Sequence, residues 1–390
     1  MKFLRSERYA ALLLMGAAAL GLVLANTPWG VALQSVRDLH PLSVWPGVDL
    51  SLGHWVTDGL LAIFFFLAAI ELRHELSHGE LNSPRRALVP VLAAVGGVVV
   101  PALIFLGMVR EPGLASGWPI PTATDIAFAL GVLALVGRGL PPQIRALLLG
   151  IAVIDDLIAI LIIAVFFTTQ LQAIPMLVAV PLVLIFGWLS RPLKRTGSGA
   201  MIAVLVAIGV AVWVLVHVSG IHATVAGVAL GLSMGTGSGA RVRHALEPWS
   251  NGIILPLFAF VAALVVLPNV PIGQLSPVFW AILVALPVGK LVGITGGALI
   301  AMQLSPRGKR HSALPFGDIL MVAALGGVGF TVSLLMNELA YKRSPEVAVE
   351  GTLAVLAASV VAGIVGVAFT LVRSRHYGSQ PGSTKKSKKK

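Results

Sequence analysis

Of 390 residues, 57% are hydrophobic and only 11% charged; the formal net charge is +12 and cysteine is absent. A soluble domain carries about a quarter charged residues, so this composition excludes a chain that hides its apolar surface from water and calls for a bilayer as solvent. The missing cysteines exclude disulfides, thiolate metal sites and iron–sulfur clusters. The basic excess sets nucleic-acid binding aside, because it lies in short loops and at the chain ends rather than along one face.

Lys2, Arg5 and Arg8 open the chain before an apolar run from Tyr9 to Ala25. Val23 and Ala25 have the spacing of a signal-peptidase site, but the many spans that follow favour a retained first helix. Twelve apolar segments of near-spanning length follow one another, over 9–27, 54–76, 87–109, 119–138, 144–168, 174–190, 199–218, 221–236, 249–268, 277–301, 316–337 and 349–373. Backbone in lipid pairs internally, and the alternation of a membrane barrel is missing, so the segments are expected to be helices. The expected fold is an all-α polytopic membrane protein of about twelve transmembrane helices. A single transporter domain would cover 1–376, followed by a basic, disordered tail over 377–390 that meets anionic lipid. From Pro41 to Leu52 the chain is too polar to span; Val44, Val48 and Leu50 suit an external β-hairpin, with an irregular loop as the alternative.

Charge sets an expected orientation. With the N-terminus in the cytoplasm and alternating spans, Arg73, Arg85, Arg86, Arg138, Arg145, Arg191, Lys194, Arg195, Arg241, Arg243, Arg307, Lys309, Arg310 and the Lys385–Lys390 tail fall inside. Only Arg37, Arg110, Lys342 and Arg343 fall outside, so both termini are expected in the cytoplasm.

Among the charges within spans, the carboxylates Asp58, Asp125, Asp155 and Asp156 and the cation Lys290 stand out. A charge at the bilayer centre costs at least about 2.5–3.5 kcal/mol, so such a set marks a pathway or a paired site. Adjacent on a helix, Asp155 and Asp156 point about 100° apart. Two close carboxylates do not both ionise cheaply, which suits a group that holds either a proton or a hard cation such as Na⁺. Lys290 would bridge an Asp, either permanently or as a pair that opens and releases protons when the site loads.

Asp125 follows Pro119-Ile120-Pro121-Thr122-Ala123-Thr124, a composition that interrupts a helix. Gly326-Gly327-Val328-Gly329-Phe330-Thr331 is a second interruption, or a run of small residues for close helix packing. The two lie in the fourth and eleventh spans, each the middle of a three-span group, and the groups face opposite ways. Inverted repeats over about 87–168 and 277–373, with two interrupted crossing helices, are the expectation. An intramembrane aspartyl protease would want its acids on two helices in a Gly-x-Gly-Asp context, and a channel would want rings of like residues. A sodium-driven symporter of related architecture remains a rival.

At these residues the chain resembles the bacterial NhaA-type Na⁺/H⁺ antiporters over nearly its whole length. The resemblance is carried by Ala123–Leu133 (ATDIAFALGVL), Ala152–Leu157 (AVIDDL), Ile221–Gly227 (IHATVAG), Leu255–Phe260 (LPLFAF), Gly289-Lys290 and Gly326–Ser333 (GGVGFTVS), all in order. It implies a transporter rather than an enzyme, without a resident cofactor. Such a transporter exports Na⁺ or Li⁺ against an electrogenic inflow of protons and sits in the bacterial inner membrane. It implies ion and proton exchange at Asp156 with Asp155, and dipole compensation by Asp125 and Lys290, with Lys290 also bridging Asp155. Thr124, Asp58, Gly326 and Gly329 would support the site. It further implies a homodimer joined through the external hairpin. Glu71, Arg73, His74 and Glu75, with His244 and Glu247, resemble a charged cluster tied to pH response. The sequence departs there: Arg243 stands where an acid often precedes His244, and Glu247 replaces a histidine. His222, near a span end, either adjusts pH response or caps a loop.

Overall fold

The computed structural model describes residues 6–41, 49–168, 171–191, 199–268, 271–304 and 314–379. Every regular element among them is helical. In chain order they begin with α1 (Glu7–Ala25), α2 (Gly30–Arg37) and a single turn α3 (Leu52–His54), which runs through a π-helical turn, Trp55–Leu60, into α4 (Leu61–His78). Next come α5 (Pro84–Met108), the 3₁₀ turns Ala115–Gly117 and Ile120–Thr122, α6 (Ile126–Val136), α7 (Pro142–Phe166), α8 (Ala173–Ser190), α9 (Gly199–Val218) and α10 (Thr224–Ser233). Then α11 (Thr236–Trp249) continues through a π turn, Ser250–Ile254, into α12 (Leu255–Ala262), and α13 (Pro277–Val284) through another, Ala285–Gly289, into α14 (Lys290–Leu304). The chain closes with α15 (Phe316–Gly326), α16 (Phe330–Ala340) and α17 (Pro345–Gly378).

Ten helical stretches among the described residues are long and apolar enough to cross a membrane, eleven when α15 and α16, bent by 46°, count as one broken span. The eighth expected span, 221–236, is corrected in length. Its helix α10 has ten residues, about 15 Å at 1.5 Å per residue and half of a hydrocarbon core. Gly220, with φ of +84°, reverses the chain before it, and extended backbone at Met234 and Gly235 ends it. The ninth span also shifts, starting at Thr236 and ending at Ala262. Residues 42–48, most of the expected hairpin, and 380–390, most of the expected tail, lie outside the described residues.

The chain divides into two compact units, and one of the boundaries falls within α7, between Asp155 and Asp156. One unit takes the described residues of Leu12–Asn82 and Asp156–Pro268. In it α10 presses a glycine face onto α4, with Gly227 against the Ala62 carbonyl and Gly231 against the Phe66 carbonyl. Trp213 of α9 stacks on Trp55 at 5.4 Å beside a core of Phe186, Val212, Ala226 and Leu230. The outer faces of α8 and α9 are apolar and exposed, as at Ile174, Leu177, Leu184 and Val206, which is a lipid-facing pattern.

The other unit takes Ser6–Ala11, Ser83–Asp155 and Asn269–Lys390. Its spine is the pair α5 and α14. Gly96 meets Gly293 and Gly97 meets Ile294, while Gly297 lies on the Leu92 carbonyl. Lipid tails supply no hydrophobic drive between helices, so this close van der Waals approach holds the pair. Replacing Gly297 by Val forces a side chain into the Leu92 backbone; the expected cost is about 1–3 kcal/mol of overpacking. Thermal unfolding of the purified protein checks it, with Gly296→Val, which meets open space on the same helix, as the neutral control. Equal unfolding temperatures for the two variants would refute the contact's importance.

Candidate functional site

The fourth span breaks where its sequence denies it hydrogen bonds. Pro119 and Pro121 lack amides, the chain tightens into the 3₁₀ turn Ile120–Thr122, and Ala123 and Asp125 are extended, with ψ of 155° and 101°. The eleventh span breaks over Gly327–Gly329, between α15 and α16. The two breaks meet and pair their freed backbone: the Asp125 amide donates to the Val328 carbonyl at 2.7 Å. Glycine serves both interruption and close packing there, because a Cβ at Gly326 would strike Ile294 and one at Gly329 would strike Ser333 and Leu286.

Asp125 caps two helices at once. Its Oδ1 accepts from the Phe128 amide of α6 at 2.9 Å. Its Oδ2 accepts from the Thr331 hydroxyl at 2.9 Å and the Thr331 amide, in the first turn of α16, at 3.3 Å. One carboxylate therefore answers the positive ends of both half-helices.

Lys290 answers the opposite sign. It follows the π turn Ala285–Gly289, in which Pro287 removes an amide, and none of it is exposed. Its Nζ donates to Asp155 Oδ2 at 2.6 Å and to Thr124 Oγ1 at 2.9 Å. The Thr124 hydroxyl in turn donates to the Gly326 carbonyl at 2.8 Å, at the negative C-terminal end of α15. Asp155 is 1% exposed, and its Oδ1 accepts no hydrogen bond among the described residues. Asp156, next on α7, is 3% exposed. Lys290 is the only buried cation among the described residues, against buried Asp125, Asp155, Asp156 and Asp318. Buried carboxylate oxygens in such excess suit a hard monovalent cation or protons.

The remaining expected residues separate into two groups. Asp58 sits in the π turn Trp55–Leu60, with its Oδ1 3.4 Å from His222 Nε2. The Thr57 hydroxyl donates to that same oxygen at 3.2 Å, and His222 Nδ1 lies 2.7 Å from Thr224 Oγ1. Glu71 pairs with Arg243, the residue that departs from the resembled pattern, and Arg73 donates to the Leu232 carbonyl. His74 stacks on His78 at 5.5 Å. Glu75 is half-buried, whereas His244 and Glu247 are exposed. Outside the spans, Tyr341 donates to the Leu114 carbonyl at 2.7 Å, and burial pushes its hydroxyl up from the ordinary tyrosine value.

Two further features are hard to see in the sequence. Asp318 is a further fully buried carboxylate, in the first turn of α15, held by Arg373 and Tyr377. At the end of a span it reads as interfacial, and no local pattern foretells partners 55 and 59 residues away. The π turns are the second feature; Pro287 and Pro256 at or just after two of them are the available signal.

The family model described as Na⁺/H⁺ antiporter 1 matches residues 1–370. The chain is 56% identical over 376 residues to Na⁺/H⁺ antiporter NhaA 2 of Clavibacter michiganensis, covering 95% of this chain and 92% of that protein. It is 43% identical to Na⁺/H⁺ antiporter NhaA of Tropheryma whipplei, over 94% of each chain. It is 42% identical to that of Thermobifida fusca, covering 96% of this chain and 94% of the relative. With its broken spans, buried carboxylates and apolar helices, this multi-pass membrane protein belongs to the NhaA family of Na⁺/H⁺ antiporters.

Proposed function

We propose that the chain is an electrogenic secondary antiporter that exports Na⁺ or Li⁺ in exchange for external protons, by alternating access. The observation that carries this reading is the buried bridge from Lys290 to Asp155, one residue from Asp156 and tied through Thr124 to the crossing of two broken helices. In this reading Asp156, with Asp155, takes Na⁺ as substrate or protons in its place. When Na⁺ draws on Asp155, the bridge opens and Lys290 gives up a proton, so more than one proton exchanges for one cation. Asp125 holds the half-helix N-termini at fixed charge throughout the cycle, and Lys290 compensates the opposite ends while the bridge is closed. Gly326 and Gly329 keep the crossing tight.

The same reading places the protein in a bacterial inner membrane with both termini cytoplasmic, where the basic loops meet anionic lipid. It takes 87–168 and 277–373 as inverted repeats that each supply one broken span. It makes the protein a homodimer, assigns pH response to Glu71, Arg73, His74, Glu75, His222, His244 and Glu247, and leaves Asp58 in a supporting role beside His222. No resident cofactor is required; the transported ions are the substrates.

If proton and cation share one site, each weakens the other's binding by the same factor. Raising pH empties the site of protons, so apparent Na⁺ affinity in reconstituted vesicles should tighten by about tenfold per pH unit for each proton displaced, across a range of about pH 6–9 around neutrality. An affinity independent of pH would mean separate, uncoupled sites and would end this reading.

A further inference from the structure

Asp318 lies in the first turn of α15 with no exposed surface. Arg373 Nε donates to its Oδ1 at 2.7 Å and the Tyr377 hydroxyl donates to its Oδ2 at 2.6 Å. The Arg373 guanidinium also lies over the Tyr377 ring, 5.3 Å from its centre. Both residues sit on one face of α17, four positions apart. Between them, Ser374 Oγ donates to the Arg138 carbonyl at 2.6 Å, two residues beyond the end of α6. Gly317 permits the approach, because a Cβ there would stand 3.2 Å from Arg373 Cδ and Nη1.

The last turns of α17 therefore grip the outer ends of both half-helices, the start of α15 and the chain just past α6. At their inner ends the same two rods carry the crossing. Gly326 closes α15 and accepts from Thr124, and Asp125 opens α6. Each rod has eleven residues, about 16 Å of rigid helix, so a shift at the outer end is carried to the break. The buried Asp318 charge is fully answered only while α17 keeps its register, which makes the contact a defined position rather than general packing.

We propose that Arg373, Ser374 and Tyr377, acting on Asp318 and the Arg138 carbonyl, are positioning residues for ion exchange: they align the two half-helices and so set the Lys290–Thr124–Gly326 relay. The proposal rests on the antiport reading above. Its test uses the full-length protein in proteoliposomes, with Asp318→Asn, Arg373→Gln, Tyr377→Phe and the exchanged pair Asp318→Arg with Arg373→Asp. Each of the first two is expected to raise the apparent KM for Na⁺ about tenfold, with a smaller, roughly threefold, effect for Tyr377→Phe, as expected of coupling carried through a rigid element. The exchanged pair should recover most of the loss; the unfolding temperature should change little in Asp318→Asn, which orphans no charge, and fall in Arg373→Gln, which leaves the buried Asp318 carboxylate without its cation.

A second readout does not depend on transport. The chain has no cysteine, so cysteines introduced at the exposed Leu135 of α6 and Phe316 of α15 accept spin labels cleanly. The distance distribution between them should be narrow in the parent, broad in Asp318→Asn and narrow again in the exchanged pair. Unchanged KM and unchanged distances in an exchanging background would overturn the clamp, as would losses that merely follow the amount of unfolded protein. Failure of the parent itself to exchange Na⁺ for protons would instead remove the antiport reading, while the label distances still judge the clamp.

Discussion

Asp156→Asn should reduce Na⁺-driven proton movement to the leak of empty vesicles, while the protein still inserts and unfolds at nearly its normal temperature. Asn has the shape of Asp but offers no charge to a cation and carries no exchangeable carboxyl proton. Removing one charged partner from a buried polar contact costs about 2–5 kcal/mol; at about 1.4 kcal/mol per decade, even 3 kcal/mol is a loss of about 100-fold in cation affinity. The proton half of the cycle fails too, so the two losses multiply in the rate. Folding should survive, because burying a neutral amide costs less than burying a carboxylate. Asp156→Glu keeps charge and proton and should retain measurable exchange with altered Na⁺ affinity. Near-normal Na⁺/H⁺ exchange by Asp156→Asn would remove Asp156 from the transport site.

Much of this site is written in residue types that are expensive in a bilayer. Asp125, Asp155, Asp156 and Lys290 stand out in sequence because nothing but pairing or function tolerates them there, and the structure buries all four. The first break was legible because Pro119 and Pro121 withdraw amides that no neighbour in lipid replaces. The second was ambiguous, since Gly326 and Gly329 serve packing and interruption alike. What the sequence withheld is who meets whom across long separations. Thr124 reaches Gly326 and Lys290 at separations of 202 and 166 residues, and hydropathy has no term for such pairs. Asp318 escaped because a carboxylate near a span end is cheap unless a fold covers it. Span eight is shorter than its hydropathy suggests for a related reason: its composition is apolar throughout, whereas its length is set by Gly220 and by the extended residues Met234 and Gly235.

Lys290→Met should separate a bridge that works from one that merely holds. Methionine keeps an unbranched apolar stem of similar length but removes the ammonium that donates to Asp155 and Thr124. Breaking a buried ion pair by removing one partner costs about 3–5 kcal/mol, because the remaining charge loses its compensation. The first expectation is therefore a marked fall in unfolding temperature, and Lys290→Met with Asp155→Asn should regain part of it, since the orphaned charge is then gone. The second expectation concerns coupling. If the bridge opens during exchange, Lys290 carries one of the protons that leave when the cation arrives. Without it fewer protons move per cation and less net charge crosses the membrane in each cycle. In proteoliposomes the wild-type rate should respond to an imposed voltage, at about 2.3 kcal/mol per elementary charge per 100 mV, and the Lys290→Met rate should lose most of that response. A variant that is less stable yet fully voltage-sensitive would make the bridge a permanent strut. A variant unchanged in both respects would deny the Asp155–Lys290 pair any part in the machinery.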